Sequence, residues 1–363
     1  MSVAPAARTP APAPLLLPAL ALVLAALVLG VLPAQEATAR TGRPQPVGSD
    51  RFVTGMPYRG DFPDPTVLRV GKVFYAYSTT IASLNLPVMT SRDLVHWRAR
   101  GEGLQHVAAW ARSRRIGERT FGATWAPAVA RFGARYVHAY AVPRRGQPAR
   151  RCISASTSKS PLGGFVDRRT RPLLCPSARG AIDPAFYTGP AGARFLLWKA
   201  EQTRRLPSQL YISRVTANGL RVVGSPRLLL TYRDAWESPL IENPAMIRYR
   251  GRFYLFYSGG SYADSSYATG YATCASPYGP CTRASATPLL ATGGRVAGPG
   301  GAMPFLDRLG RLRLAYAAWD YGNTGYPSNT SCRQRPQGCP QRKLHVATLG
   351  VRADGSLAVT ARG

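Results

Sequence analysis

A chain of 363 residues with 45% hydrophobic composition carries enough apolar material for one large domain or two ordinary ones, which excludes global disorder. Its formal charge of +30 invites a nucleic-acid reading. However, the cations are 43 arginines and 4 lysines scattered along the whole length, a compositional spread rather than a patch, so no nucleic-acid partner is expected.

The chain opens with Arg8, an apolar run over 15–32 and then Ala37-Thr38-Ala39, the small-x-small pattern of a signal-peptidase site. Residues 1–39 are therefore expected to be an export signal, or an N-terminal anchor if left uncleaved, since 18 apolar residues just reach the length that spans a bilayer. Residues 40–57 read as a linker and 58–363 as one domain. Six cysteines follow the leader, an even number suited to an oxidising compartment. Their order favours local pairs: Cys152 with Cys175, Cys274 with Cys281, Cys332 with Cys339. Zinc is a poor alternative, because there is no C-x-x-C and none of His96, His106, His138 and His345 is near a cysteine pair.

Within 58–363 one pattern recurs five times, a glycine followed by a run of aromatic and aliphatic residues: GKVFYAYS at Gly71, GARYVHAY at Gly133, GARFLLWK at Gly192, GRFYLFYS at Gly251 and GRLRLAYA at Gly310. The intervals are 62, 59, 59 and 59 residues. Each glycine marks a tight turn into a strand, and a short proline-containing strand precedes each. No helical periodicity is sustained. About four short strands in each of five repeats predict an all-β fold, a five-bladed β-propeller.

In a propeller the first strand of every blade lines the central channel, so equivalent positions converge on the axis. Aligning the repeats on Pro65, Pro127, Pro184, Pro244 and Pro299 puts Asp64, Ala126, Asp183, Asn243 and Gly298 immediately before proline. One step back, Trp125 stands in the second repeat and Glu242 in the fourth. Asp64, Asp183 and Glu242 are thereby predicted to meet at one mouth of the channel. Proline at a strand start sacrifices no ladder bond. Clustered carboxyls oppose stability, so a fold retains them for a metal or for chemistry. Calcium would need more oxygen ligands than three acids on three blades supply, whereas two separated carboxyls suit glycoside hydrolysis. Trp125 and Phe62 are the candidate platforms for the apolar face of a sugar ring.

The segments FPDPTVLRVGKVFYAYST, TWAPAV, AIDPAFY and ENPAMIRYRGRFYLFYSGGSY, with SRDLVHW at Ser91 and the late GPGG, resemble glycoside hydrolase family 43 over residues 58 to about 349. The resemblance implies a five-bladed propeller that cleaves arabinose- or xylose-containing polysaccharide with inversion, and the leader pattern adds that it is secreted. It implies Asp64 as the general base, Asp183 as the group that tunes and orients the acid, and Glu242 as the general acid. Glu237 in WESPL competes for the acid role but breaks the register, lying 14 positions before Gly251 where Glu242 lies nine. Family members often carry Gly-Pro-Gly-His in the fifth blade, where the histidine helps organise a metal; here Gly298-Pro299-Gly300-Gly301 offers no such ligand, so no cofactor is expected, and calcium stays an open alternative that this segment does not support. The alternative is a carbohydrate-binding propeller without turnover, which would not need all three acids.

Overall fold

The structure, a computed structural model, describes residues 60–176, 179–326 and 338–362. The predicted leader, the whole linker, residues 58 and 59 and Cys332 lie outside the described residues. Four antiparallel sheets of four strands and one of three make up five blades, each built from strands consecutive in the chain.

Blade I holds β1 (Thr66–Val70), β2 (Val73–Tyr77), β3 (Pro87–Ser91) and β4 (Trp97–Glu102). A small ribbon of β5 (Arg114–Ile116) and β6 (Arg119–Phe121) follows, then blade II with β7 (Trp125–Phe132), β8 (Arg135–Arg144) and β9 (Gln147–Ser158). Blade III comprises β10 (Ala181–Thr188), β11 (Arg194–Ala200), β12 (Gln209–Val215) and β13 (Val222–Thr231). Blade IV comprises β14 (Ile241–Tyr249), β15 (Arg252–Gly259), β16 (Ala268–Cys274) and β17 (Cys281–Arg283). Blade V comprises β18 (Val296–Leu306), β19 (Leu312–Asp320), β20 (Lys343–Val351) and β21 (Leu357–Ala361). Blade II departs from the expected four strands. After β9 the chain runs through Pro161, Gly163 and Gly164 and makes single bridges such as Thr157 to Val166 in place of a fourth ladder.

Why the recurring runs are unbroken rather than alternating is now clear. Each blade is sandwiched between two others, so its middle strands bury side chains on both faces; β11 (RFLLWKA) and β15 (RFYLFYSG) are buried almost throughout. Five apolar clusters fill the five spaces between blades. One of them joins Phe74, Ala76 and Met89 of blade I to Phe305, Ala315 and Val346 of blade V and so closes the ring by packing. The turns split into two kinds. Val70 pairs with Val73, Phe132 with Arg135 and Tyr249 with Arg252, leaving two-residue turns that contain Gly71, Gly133 and Gly251 at positive φ. The turns at Gly192 and Gly310 are longer, with Thr188 opposite Arg194 and Leu306 opposite Leu312. In the last of these Asp307 organises the loop by accepting from the N–H groups of Leu309 and Arg311.

Disulfides join Cys152 to Cys175 and Cys274 to Cys281, the first two expected pairs. No described helix is long and apolar enough to cross a membrane.

Candidate functional site

The first strands share one distortion. Asp64, Ala126, Asp183, Asn243 and Gly298 all adopt left-handed backbone, with φ of 51, 44, 55, 53 and 59°. In blades II to V the ladder breaks at this point: Trp125 and Ala128, Ile182 and Ala185, Glu242 and Ala245, Ala297 and Gly300 flank two residues that face a single partner on the next strand. This is a β-bulge, repeated around the axis, and the proline inside it gives up a donor that the ladder does not use there. A left-handed non-glycine residue costs on the order of 1–3 kcal/mol. Four of the five positions bear that cost, and the bulge turns their side chains or backbone towards the channel. The first strands of all five blades line the cavity there, with Asp64, Ala126, Asp183, Asn243 and Gly301 in its wall.

Hydrogen bonds knit the bulges together. Asp64 Oδ2 accepts from the Thr79 hydroxyl at 2.7 Å, and Thr79 Oγ1 in turn accepts the Ala126 N–H at 2.7 Å. Asp183 Oδ2 accepts the Asn243 N–H at 2.9 Å. Asn243 Nδ2 donates to the Tyr267 hydroxyl at 2.9 Å, which donates to Glu242 Oε1 at 2.8 Å. The other oxygen of Glu242, Oε2, accepts from Lys199 Nζ at 3.0 Å. Arg342 Nη1 lies 3.6 Å from Asp64 Oδ1. Its guanidinium stands 5.1 Å above the Tyr267 ring, and its backbone N–H donates to Asp61 at 2.8 Å.

Three carboxyls thus share two buried cations. Burial pushes Asp64 above its ordinary value, with Arg342 and the Thr79 hydroxyl pulling the other way. Burial and then the charge of Glu242 push Asp183 well above the carboxylate range. Burial alone would lower the Lys199 ammonium, yet Glu242, Glu201 and Asp183 outweigh it and hold the lysine charged. Burial thus favours the protonated forms of Asp64 and Asp183 while Lys199 stays charged beside them, an environment suited to proton transfer.

The elevated Asp183 has a consequence for stability. A carboxyl whose folded-state value exceeds its unfolded value binds more protons when folded, so its contribution is lost as pH rises from about 4, the unfolded value, through the folded one. Asp183→Asn keeps an acceptor for the Asn243 N–H and carries no charge. We expect its melting temperature to exceed the parent's by a margin that widens between pH 4 and pH 8, and a margin that shrinks with pH would contradict this account.

Not every expected residue reaches the cavity. Phe62 is wholly buried in the cluster between blades I and V, so it fills the core and presents no face to a sugar. Expecting it to stack on substrate was a misreading of an aromatic that closes the ring. Trp125 remains 37% exposed, with the Arg151 guanidinium 3.1 Å from its ring centre. Glu237, the competitor to Glu242, is sealed away: Arg283 Nε contacts its Oε1 at 2.6 Å, the Tyr257 hydroxyl donates to the same oxygen at 2.9 Å, and the N–H groups of Arg233 and Asp234 donate to Oε2. It anchors the entry to blade IV. At the fifth-blade position where a metal-organising histidine would stand, Gly301 brings no donor, and a Cβ added there would fall 2.9 Å from Asp64 Oδ1. That position therefore contributes no side-chain ligand.

Lys199, Tyr267, Thr79 and Arg342 were missed by sequence reasoning. Lys199 alone left a signal, a lysine inside the apolar run FLLWKA of a chain with four lysines.

Comparison with known proteins gives a family match and several structural ones. The sequence profile described as Glycosyl hydrolases family 43 matches residues 57–355. The solved structure of a thermostable family-43 glycoside hydrolase is similar with a TM-score of 0.70 at 23% identity, over 86% of this chain and 96% of that one. An endo-1,4-beta-xylanase from Bacteroides thetaiotaomicron gives 0.65 at 20% identity, over 83% and 95%. An exo-1,5-alpha-L-arabinanase from a bovine ruminal metagenomic library gives 0.64 at 18% identity, over 84% and 100%. At these identities the likeness is one of fold. No curated protein matches the chain.

Proposed function

Because the chain belongs to the glycosyl hydrolases of family 43, we propose that it is a secreted enzyme hydrolysing an arabinan- or arabinoxylan-type polysaccharide with inversion at the anomeric carbon. The observation that carries this reading is the cluster of three carboxyls, Asp64 and Asp183 in the cavity wall and Glu242 next to the wall residue Asn243 and within electrostatic reach of both, with Lys199 and Arg342 as buried counterions. An inverting glycosidase needs one carboxylate to take a proton from water and one carboxyl to give a proton to the leaving oxygen, about 6.5–9.5 Å apart so that water fits between. Asp64, beside Arg342, is the base. Glu242 is the acid, and Asp183, which shares the Asn243 backbone with it, tunes its proton. Trp125 at the rim offers an apolar face for a sugar ring. Export is supported by the apolar leader pattern and by the two disulfides, which persist in oxidising surroundings.

The test is to follow the first product by proton NMR during digestion of linear arabinan and arabinoxylan. An α-arabinofuranosyl bond should release the β-anomer first, and a β-xylosyl bond the α-anomer. Retained configuration, or no reducing sugar from either polymer, would overturn the proposal.

A further inference from the structure

Lys199 occupies a place where a lysine is hard to keep. It lies in the middle strand β11, opposite Ile182 of the bulged strand β10, and its side chain is 2% exposed. Its ammonium touches two carboxylates at once, Glu242 Oε2 at 3.0 Å and Glu201 Oε2 at 3.0 Å. These partners differ in situation. Glu242 belongs to the cavity cluster, and both its oxygens are engaged, by Lys199 and by the Tyr267 hydroxyl. Glu201 follows the end of β11 and is 29% exposed, and the Arg151 guanidinium of β9 lies within electrostatic reach of it. Asp183 of β10 is the remaining charge facing Lys199, and Asp64 faces Glu242 from blade I.

We propose that Lys199 and Glu201 form a counterion-exchange pair that positions and sets the proton donor: the ammonium rests on Glu201 while Glu242 holds its proton and swings fully to Glu242 once that proton has left. The inference rests on Glu242 being the acid of the proposed hydrolysis. In that step the Glu242 proton passes to the glycosidic oxygen as its bond to the anomeric carbon breaks, and the electron pair stays on that oxygen. Water supplies the new bond to carbon and gives its proton to Asp64. Lys199 neither gains nor loses a proton; it neutralises the carboxylate created on Glu242. A buried ammonium needs an anionic partner in both halves of this cycle. Glu201 provides it when Glu242 is neutral. If Glu201 loses its charge, the ammonium holds Glu242 as the carboxylate and the donor form is depleted. If Lys199 loses its charge, no cation touches Glu242 and the proton stays on it to higher pH.

The two partners therefore predict opposite shifts, which a purely structural role does not. kcat/KM would be measured against pH on an unactivated phenyl glycoside for the parent, Glu201→Gln and Lys199→Met. Glu201→Gln should move the alkaline limb to lower pH by roughly one unit, the size expected for a nearby opposite charge, and Lys199→Met should move it to higher pH. On a dinitrophenyl glycoside, whose leaving group needs no proton, Glu201→Gln should keep the parental rate within about threefold. Glu201→Gln retains an acceptor at a partly exposed position, so it stands as the deciding variant should Lys199→Met fail to fold. An unmoved alkaline limb in folded Glu201→Gln overturns the inference. Absence of hydrolysis by the parent on every glycoside overturns instead the function on which it rests.

Discussion

Glu242→Gln is expected to lower kcat/KM on polysaccharide by about 10²–10⁴, the usual contribution of a positioned general acid. The amide is close in shape and can turn its oxygen to Lys199 and its NH2 to the Tyr267 hydroxyl, so both contacts at 3.0 and 2.8 Å have a replacement. The transferable proton is lost, and with it the charge that faces Lys199, for which Glu201 remains as the anionic partner. The leaving group separates this from general damage. A dinitrophenoxide departs without protonation, so the variant should lose far less on that aryl glycoside than on arabinan or xylan. Equal losses on both substrates would remove Glu242 from the acid role, as would parental activity on the polymer.

Asp64→Asn should cause a loss of similar order, but on both kinds of substrate, because water must be activated whatever the leaving group. The substitution also takes the charge from a carboxyl facing the buried Arg342, whose side chain is 2% exposed, so some loss of stability should accompany it. Asp61 remains beside Arg342 and limits that loss. Chemical rescue provides the control. With Asp64→Ala, azide in the vacated space should attack the anomeric carbon of an activated aryl glycoside and yield the glycosyl azide of inverted configuration. A variant that keeps full turnover on polysaccharide would show that the base lies elsewhere.

The architecture was legible because a propeller writes its symmetry into the chain. A glycine recurs every 59 residues or so, and the prolines of the first strands keep step with it, so aligning them brings Asp64 and Asp183 to one cavity wall and Glu242 within electrostatic reach of both. The bulge was hidden, since its left-handed residue is Asp, Ala, Asn or Gly according to the blade and composition does not mark it. The cations were hidden for another reason. Arg342 is one of 43 arginines and follows a stretch with no repeat partner, so nothing along the chain distinguishes it. Phe62 misled because an aromatic two positions from a carboxylate reads alike whether it faces a ligand or a core. Its full burial follows from ring closure, which is a property of chain ends that adjacent residues do not encode.

That closure has a bearing on how the cavity comes into being. Asp183, Lys199, Glu242 and Tyr267 belong to adjoining blades III and IV and come together over a short stretch of polypeptide. Asp64 acquires its counterion only when the beginning of blade I meets the start of β20, the third strand of blade V, a meeting recorded by the bond from the Arg342 N–H to Asp61 across 281 positions and by the Phe62 N–H donating to the Arg342 carbonyl. Contacts between distant segments pay their loop entropy last. The part of the pocket around Glu242 and Lys199 can thus mature on a nascent, still open ring, while the part around Asp64 and Arg342 waits for the circle to shut.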